Sequence, residues 1–213
     1  MPLQLHMHPL SSYCHKVLTA LYELDIPFEP LFLNLGDETA REAFYALWPM
    51  GKMPVLVDED AGVSLPESSL IIDYLNRRFD GSLIPKDPDL ALEVRLQDRL
   101  FDIYVHGPMQ AITADLLRPA EARDPYGVDQ ARARLAAAYD MVEAHMAGRT
   151  WAAGNAFSLA DCAAAPALFY AEGRLPFGPQ RPNIAAYLQR LKERPSYARA
   201  LKEAEPYMHM VPR

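Results

Sequence analysis

The chain has 213 residues, half of them hydrophobic and 23% charged, with a formal net charge of -7, the composition of a globular protein that buries a sizeable core. A net negative charge argues against a nucleic-acid partner, whose phosphates call for a basic surface. No run approaches the roughly 18 apolar residues of a spanning helix, no basic-then-apolar leader opens the chain, and the distant Cys14 and Cys162 suggest no disulfide framework, so a cytoplasmic setting without a membrane partner is expected.

Leu3 to His8 reads as a first strand ended by Pro9. Cys14, Val17, Leu18 and Leu21 then fall at i, i+3, i+4 and i+7, the stripe of an amphipathic helix, with Ser11 and Ser12 placed to cap it. Asp25-Ile26-Pro27 closes that helix, and Phe28 to Leu35 reads as a second strand in which Pro30 requires an edge or a ladder-free position. Asp37 to Leu47 is a short helix. Val55 to Val57 is a strand entered through Pro54, Asp58 to Gly62 turns a hairpin, and Ser68 to Phe79 is a helix. The order is βαβ followed by ββα.

Composition then changes. Asp80-Gly81-Ser82 and Pro85-Lys86-Asp87-Pro88 form a polar, turn-rich linker, dividing the chain into a domain over 1–79, a linker over 80–88 and an all-helical domain over 89–213. Leu92, Leu96, Leu100 and Ile103 give the apolar spacing of the next helix, which Gly107-Pro108 should kink or break. Leu135, Tyr139, Val142 and Met146 repeat the helical period, with Gly148 as the C′ residue. Ser158-Leu159-Ala160-Asp161 is a capping box with a short acid at N3, and Phe157 and Cys162 are placed as its staple. Asn183 is expected to cap a last clear helix carrying Ile184, Leu188 and Leu191, stopped by Pro195.

One run concentrates the chemistry. Gly51-Lys52-Met53-Pro54-Val55-Leu56-Val57-Asp58 is followed nine residues later by Glu67-Ser68-Ser69-Leu70-Ile71-Ile72-Asp73-Tyr74-Leu75. A helix start bearing Glu67, Ser68 and Ser69 leaves backbone N–H groups free to receive an anion, so the run looks like a site for a small zwitterion. Taken alone, Ser11 and Ser12 are helix caps, Cys14 on the apolar stripe is a small buried hydrophobe, and Asp161 is a cap. His6 and His8 share one strand face, but with no acid or cysteine cluster beside them they read as structural or solvated, and no metal is expected.

Two features then converge on a family. The βαβ–ββα order with a proline at the third strand resembles the thioredoxin fold, in which that proline is cis. Ser11-Ser12-Tyr13-Cys14 has the spacing of a Cys-x-x-Cys motif with serine in the first place. With the Lys-x-Pro and Glu-Ser pattern and the Ser158–Asp161 box, the whole chain resembles a cytosolic glutathione transferase, bacterial-type and with a serine-type active site, its class unassigned. The resemblance implies an α/β thioredoxin-like domain that binds glutathione as cosubstrate, an all-α domain that binds the electrophile, and a homodimer. It places Ser11 at the glutathione sulfur, the Met53 backbone against the cysteinyl backbone, and Pro54 in a cis bond. Glu67 would take the γ-glutamyl ammonium, Ser68 its carboxylate, and Lys52 the glycine carboxylate. Asp102 is a candidate for an acid reaching the γ-glutamyl amine from the partner subunit. Tyr104, His106, Met109, Thr113 and Leu117 are candidates by position for the electrophile pocket.

The sequence departs from parts of that family. Gln4-Leu5-His6-Met7-His8 holds no tyrosine of the tyrosine-type classes, and serine in place of cysteine counts against glutaredoxin-like activity. Ser11-Ser12 is similar to the zeta (isomerase) class, but Tyr13-Cys14 is not. The activity implied is a detoxifying transferase, which activates the glutathione thiolate for attack on a small hydrophobic electrophile. The alternatives are a glutathione-dependent isomerase or dehalogenase, or a non-catalytic interaction module on the same scaffold.

Overall fold

Residues 3–34 and 36–212 are described by a computed structural model. Strand β1 (Leu3–Met7) buries Leu3, Leu5 and Met7 by period-two alternation and lies at the centre of a four-stranded sheet in the order β2-β1-β3-β4. It pairs in parallel with β2 (Phe28–Phe32) and antiparallel with β3 (Val55–Asp58), where Leu5 faces Leu56. Strand β4 (Val63–Pro66) closes the hairpin from β3. Pro30 therefore lies on an edge strand, where a missing N–H leaves no ladder bond unmade. The second strand is shorter than its apolar run suggested. It ends at Phe32, and Leu33 N donates to Met7 O at 2.8 Å; Leu35 lies outside the described residues.

Three helices complete this N-terminal domain. Helix α1 (Ser12–Glu23) crosses between β1 and β2, α2 (Glu38–Leu47) is capped by Asp37, and α3 (Ser68–Arg78) follows the hairpin. The βαβ–ββα order is the thioredoxin-like arrangement expected. The segment after α3 is polar in composition yet anchored: Leu83 and Ile84 are buried, and both donate their N–H to Asn76 Oδ1, at 2.9 and 3.1 Å.

Every further regular element among the described residues is helical. Helix α4 (Pro88–Leu100) passes into a π-helical stretch over Phe101–His106 and on into α5 (Gly107–Leu116). Helices α6 (Pro125–His145), α7 (Leu159–Glu172), α8 (Pro182–Glu193) and α9 (Pro195–Ala204) follow. The alanine-rich α7 is almost wholly buried, and α1, α4 and the π stretch all pack on it.

Four expectations need correction here. Gly107-Pro108 does not break the helix. Gly107 N donates to Asp102 O, five residues back, and the wider π register takes up the proline that lacks a donor. The helical spacing of Leu92, Leu96 and Ile103 is real, but these residues point outward, 67%, 53% and 51% exposed. Against the crowded α7 the smaller Ala91 and Val94 turn inward instead, together with Asp98. Asn183 is not the cap of α8: Arg181 is, and Glu143 of α6 supplies the acceptors, taking the N–H groups of Asn183 and Ile184 at 3.1 and 2.9 Å. Pro195 both follows α8 and opens α9 at its first turn, where a proline loses nothing.

The capping box at α7 is present. Asp161 Oδ2 accepts from Ser158 N at 2.9 Å and from Ser158 Oγ at 3.0 Å, while Oδ1 accepts from Ala152 N and the Tyr187 hydroxyl. Burial raises the Asp161 pKa above the usual carboxylate value against these hydrogen bonds. Phe157 and Cys162 both sit in the core beside it. No described helix is long and apolar enough to cross a membrane.

Candidate functional site

A cleft of about 420 Å³ lies between the two domains. Ser11, Tyr13, Lys52, Met53, Pro54, Glu67 and Ser68 line it from the N-terminal domain, together with Trp48 and Gly51, and Arg99, Asp102, Ile103 and Gln110 from the helical one. All six residues picked from the sequence for a thiol-bearing ligand — Ser11, Lys52, Met53, Pro54, Glu67 and Ser68 — thus meet in one place.

Local backbone geometry sets the two ends. The Met53–Pro54 peptide bond is cis. Gly51 just before it has φ +61, a conformation that favours glycine, and a Cβ there would fall 2.4 Å from the Tyr45 ring, which would have to move. Glu67, the residue before α3, holds φ 71, a left-handed conformation costly for a residue with a side chain and typical of positions held in place for a ligand. Glu67 is exposed and Ser68 is buried at the helix start.

The two serines at α1 differ. Ser11 is the N-cap, and its Oγ accepts from Cys14 N at 3.3 Å. That bond uses a lone pair; the hydroxyl's other partner is the Cys14 thiol, a weak acceptor, so its proton can turn to a stronger acceptor beside the positive end of the helix. Ser12 is buried, its Oγ 2.5 Å from His106 Nε2, so either tautomer of that ring ties the hydroxyl down. Burial drives the His106 pKa down to about 3, with Lys16 adding to the shift, so the ring is neutral at physiological pH. Tyr13 stacks on His106 with ring centroids 4.0 Å apart, and burial first, then the charge of Asp102, push its phenol up to about 12. Cys14 is fully buried, and burial raises its thiol to about 12, against a bond from Ser11 and one from the His8 backbone. A neutral, enclosed thiol is a packing group and not a nucleophile.

The five residues proposed for the electrophile side do not line this cleft. His106 and Met109 are buried, Thr113 is held by Arg174 Nε at 2.9 Å, and Leu117 is 70% exposed beyond the helix. Tyr104 faces a separate groove of about 810 Å³ toward α6, which shares only Ile103 with the cleft. A π turn carries an extra residue and rotates the following faces by about 100°, which brings Gln110 to the site beside Ile103 of the π stretch itself. Asp102 lies in the cleft of its own chain, 6% exposed, bonded to Lys16 and Arg99. His6 packs near Phe44, and His8 accepts from Leu10 N at 3.1 Å. Among the described residues no group of three His, Cys, Asp or Glu is placed to hold a metal ion.

Family models match the chain over both halves: "Glutathione S-transferase, N-terminal domain" over residues 5–83 and "Glutathione S-transferase, C-terminal domain" over residues 125–190. The chain belongs to the glutathione S-transferase family. Glutathione S-transferase 3 of Zea mays is 33% identical over 212 residues, covering 94% of this chain and 93% of its own. Glutathione S-transferase GstB of Escherichia coli is 28% identical over 189 residues, covering 87% and 91%. A glutathione S-transferase of Methylobacillus flagellatus, solved with glutathione bound, superposes with a TM-score of 0.86 at 28% identity, covering 93% of this chain and 98% of that one.

Within this glutathione S-transferase, sequence reasoning missed Tyr13, Trp48, Arg99, Ile103 and Gln110 as lining residues. Arg99 on α4 and Gln110 on α5 carry no motif, and the place of Gln110 depends on the helical phase after the π stretch. Tyr13 had a signal, since it stands between Ser11 and Cys14 in the motif, but its ring was expected to point elsewhere.

Proposed function

We propose that this chain binds glutathione along the cleft and presents its sulfur, as the thiolate, to a small hydrophobic electrophile. Ser11 donates its hydroxyl proton to the sulfur in place of its weak bond to the Cys14 thiol, and the start of α1 adds its dipole. A thiol with pKa near 8.5 is only a few per cent ionised at neutral pH, and one charge-assisted hydrogen bond contributes about 1.5–3 kcal/mol toward the thiolate. The helix end adds up to about 1 kcal/mol. Together these suffice to lower the pKa by about two units, for which roughly 2.7 kcal/mol is needed. The thiolate is the nucleophile and Ser11 stabilises it.

The peptide body follows the lining. Met53, ahead of the cis proline, offers its backbone to the cysteinyl unit as a short antiparallel strand would. Glu67 and Ser68 hold the γ-glutamyl ammonium and carboxylate, and Lys52, exposed at the other end, meets the glycine carboxylate. The electrophile sits against Tyr13, Trp48, Ile103 and Gln110, an apolar wall with one amide. A homodimer fits the outward Leu70, Leu92 and Leu96, three exposed leucines on α3 and α4. The site opens toward a reaction in the cytoplasm, with no metal.

The observation that carries the assignment is the hydroxyl of Ser11, held only by Cys14 among the described residues, in the same cleft as Glu67 and Ser68. A glutathione-dependent activity panel over aryl halides, epoxides, enones, peroxides and disulfides tests it. Turnover of a carbon electrophile is expected. Turnover of disulfides alone, or of nothing while glutathione binds, would remove the transferase reading.

A further inference from the structure

Lys16 is out of place on an apolar helix. Its neighbours on α1, His15 and Val17, are buried with it, and Lys16 itself is 1% exposed. Its ammonium lies 2.5 Å from Asp98 Oδ1, 2.8 Å from Asp102 Oδ2 and 2.8 Å from Ser69 Oγ. Ser69 in turn donates to Asp98 Oδ2 at 2.8 Å, and Arg99 closes the group from solvent, bonded to Asp102. One buried cluster therefore joins α1, α3, α4 and the π stretch, with two cations against two carboxylates.

A buried ion cluster of this kind is weak as a stabilising device, because desolvation offsets most of its attraction. It also contains a loose end. Asp102 Oδ1 is buried and has no hydrogen-bond partner among the described residues, and Asp102 lines the cleft within which Glu67 and Ser68 stand. An unpaired carboxylate oxygen at the edge of a ligand cleft calls for a cationic donor. The thiol cosubstrate proposed above carries one such group, the α-ammonium of its γ-glutamyl end.

We infer that Lys16 is a positioning residue for the cosubstrate: it fixes Asp102 of the same chain as a second carboxylate, beside Glu67, for the α-ammonium group. Without Lys16, Asp98 and Asp102 face each other with Arg99 as the sole remaining cation of the cluster, and Asp102 loses its buried cation and keeps only the half-exposed Arg99 and a long contact to Ser69. Lys16 touches neither the sulfur nor the electrophile. Its effect is therefore on the selection of the cosubstrate and not on the chemical step. The inference rests on the glutathione reading of the cleft.

Steady-state kinetics of the full-length protein with glutathione and with N-acetylglutathione, which lacks the ammonium, test it. Wild-type protein should prefer glutathione. Lys16→Met should raise KM for glutathione by roughly ten- to a hundredfold, the worth of a hydrogen bond to a charged group, and leave kcat at saturation within about twofold. KM for N-acetylglutathione should hardly change, so the preference shrinks by the same factor to what Glu67 alone supports, and Lys16→Arg should restore most of it. A folded Lys16→Met protein that keeps the preference, or that loses kcat alike with both thiols, overturns the inference. If Lys16→Met does not fold, Asp102→Asn decides: loss of preference supports the inference, and an intact preference overturns it. Wild-type protein indifferent to acetylation overturns it while leaving the glutathione reading standing. Wild-type protein that uses neither thiol overturns both.

Discussion

Replacing Ser11 by alanine isolates the thiolate from the rest of the site. The mutation removes one hydroxyl whose partners among the described residues are Cys14 N, in a 3.3 Å cap contact, and the weakly accepting Cys14 thiol. That contact is long, so the stability lost should lie at the low end of the cap range, about 0.5–1 kcal/mol. The functional loss is larger. A charge-assisted bond contributes about 1.5–3 kcal/mol, so the bound thiol's pKa should rise by about one to two units. The α1 dipole and the Met53, Glu67 and Ser68 contacts remain, so glutathione should still bind. The assay is ultraviolet absorbance of the bound thiolate titrated against pH, run beside kcat/KM. The sign follows from the direction of the shift: a raised pKa depletes the thiolate below it. The mutant should be slower by about tenfold or more at neutral pH, and the two rates should converge once pH exceeds both pKa values. An unchanged titration midpoint in a mutant that binds glutathione would refute the reasoning; the neighbouring Ser12 is tied to His106 and does not replace it.

Three further outcomes are expected. Burial lowers His15 to about 4 and His106 to about 3, so both stay neutral in the fold while the unfolded chain takes up protons below about 6.5; stability is therefore fully present above that value and falls as the pH drops toward 4. Urea unfolding should show about 2 kcal/mol lost per histidine between pH 7 and pH 5, and His106→Gln should flatten that slope; equal slopes would mean the ring is protonated in the fold. Leu92 and Leu96, 67% and 53% exposed, should be covered in a dimer, so Leu92→Lys with Leu96→Lys should halve the mass seen by sedimentation; a monomeric wild type would contradict this. Asp161→Ala strips acceptors from Ala152 N, Ser158 N and the Tyr187 hydroxyl together, and at about 1–3 kcal/mol for each buried donor left alone the protein should melt far lower or fail to fold; a Tm shift of a degree or two would show that water replaces the carboxylate.

What the sequence made legible was whatever short-range rules encode. The alternation of Leu3, Leu5 and Met7 marks β1, the Ser158-to-Asp161 spacing marks the start of α7, and Gly51 through Pro54 with Glu67-Ser68 marks one wall of the cleft. The far wall was not legible, because it depends on helical phase. The π stretch over Phe101–His106 shifts the residues that follow, and no local pattern announces it. The outward turn of Leu92 and Leu96 misleads for a related reason: periodicity identifies a helix and an apolar face, but not whether that face meets the core or another surface. Lys16 carries the same lesson in reverse. It lies off the stripe of Cys14, Val17, Leu18 and Leu21, where a charged residue is expected in solvent, and only the tertiary meeting with Asp98, Asp102 and Ser69 explains its burial. Asn183 shows a cap borrowed across the fold, since Glu143 lies forty residues earlier in the chain.

The central claim is that this cleft holds glutathione. The thermal melt of the wild-type protein with and without millimolar glutathione tests it most directly. Ligand at 100 times its Kd should add about 2.7 kcal/mol and raise the melting temperature by about 5–11 °C, for a chain of this size. Glu67→Gln should reduce the shift at the same concentration. No shift with glutathione at any millimolar concentration would contradict the account.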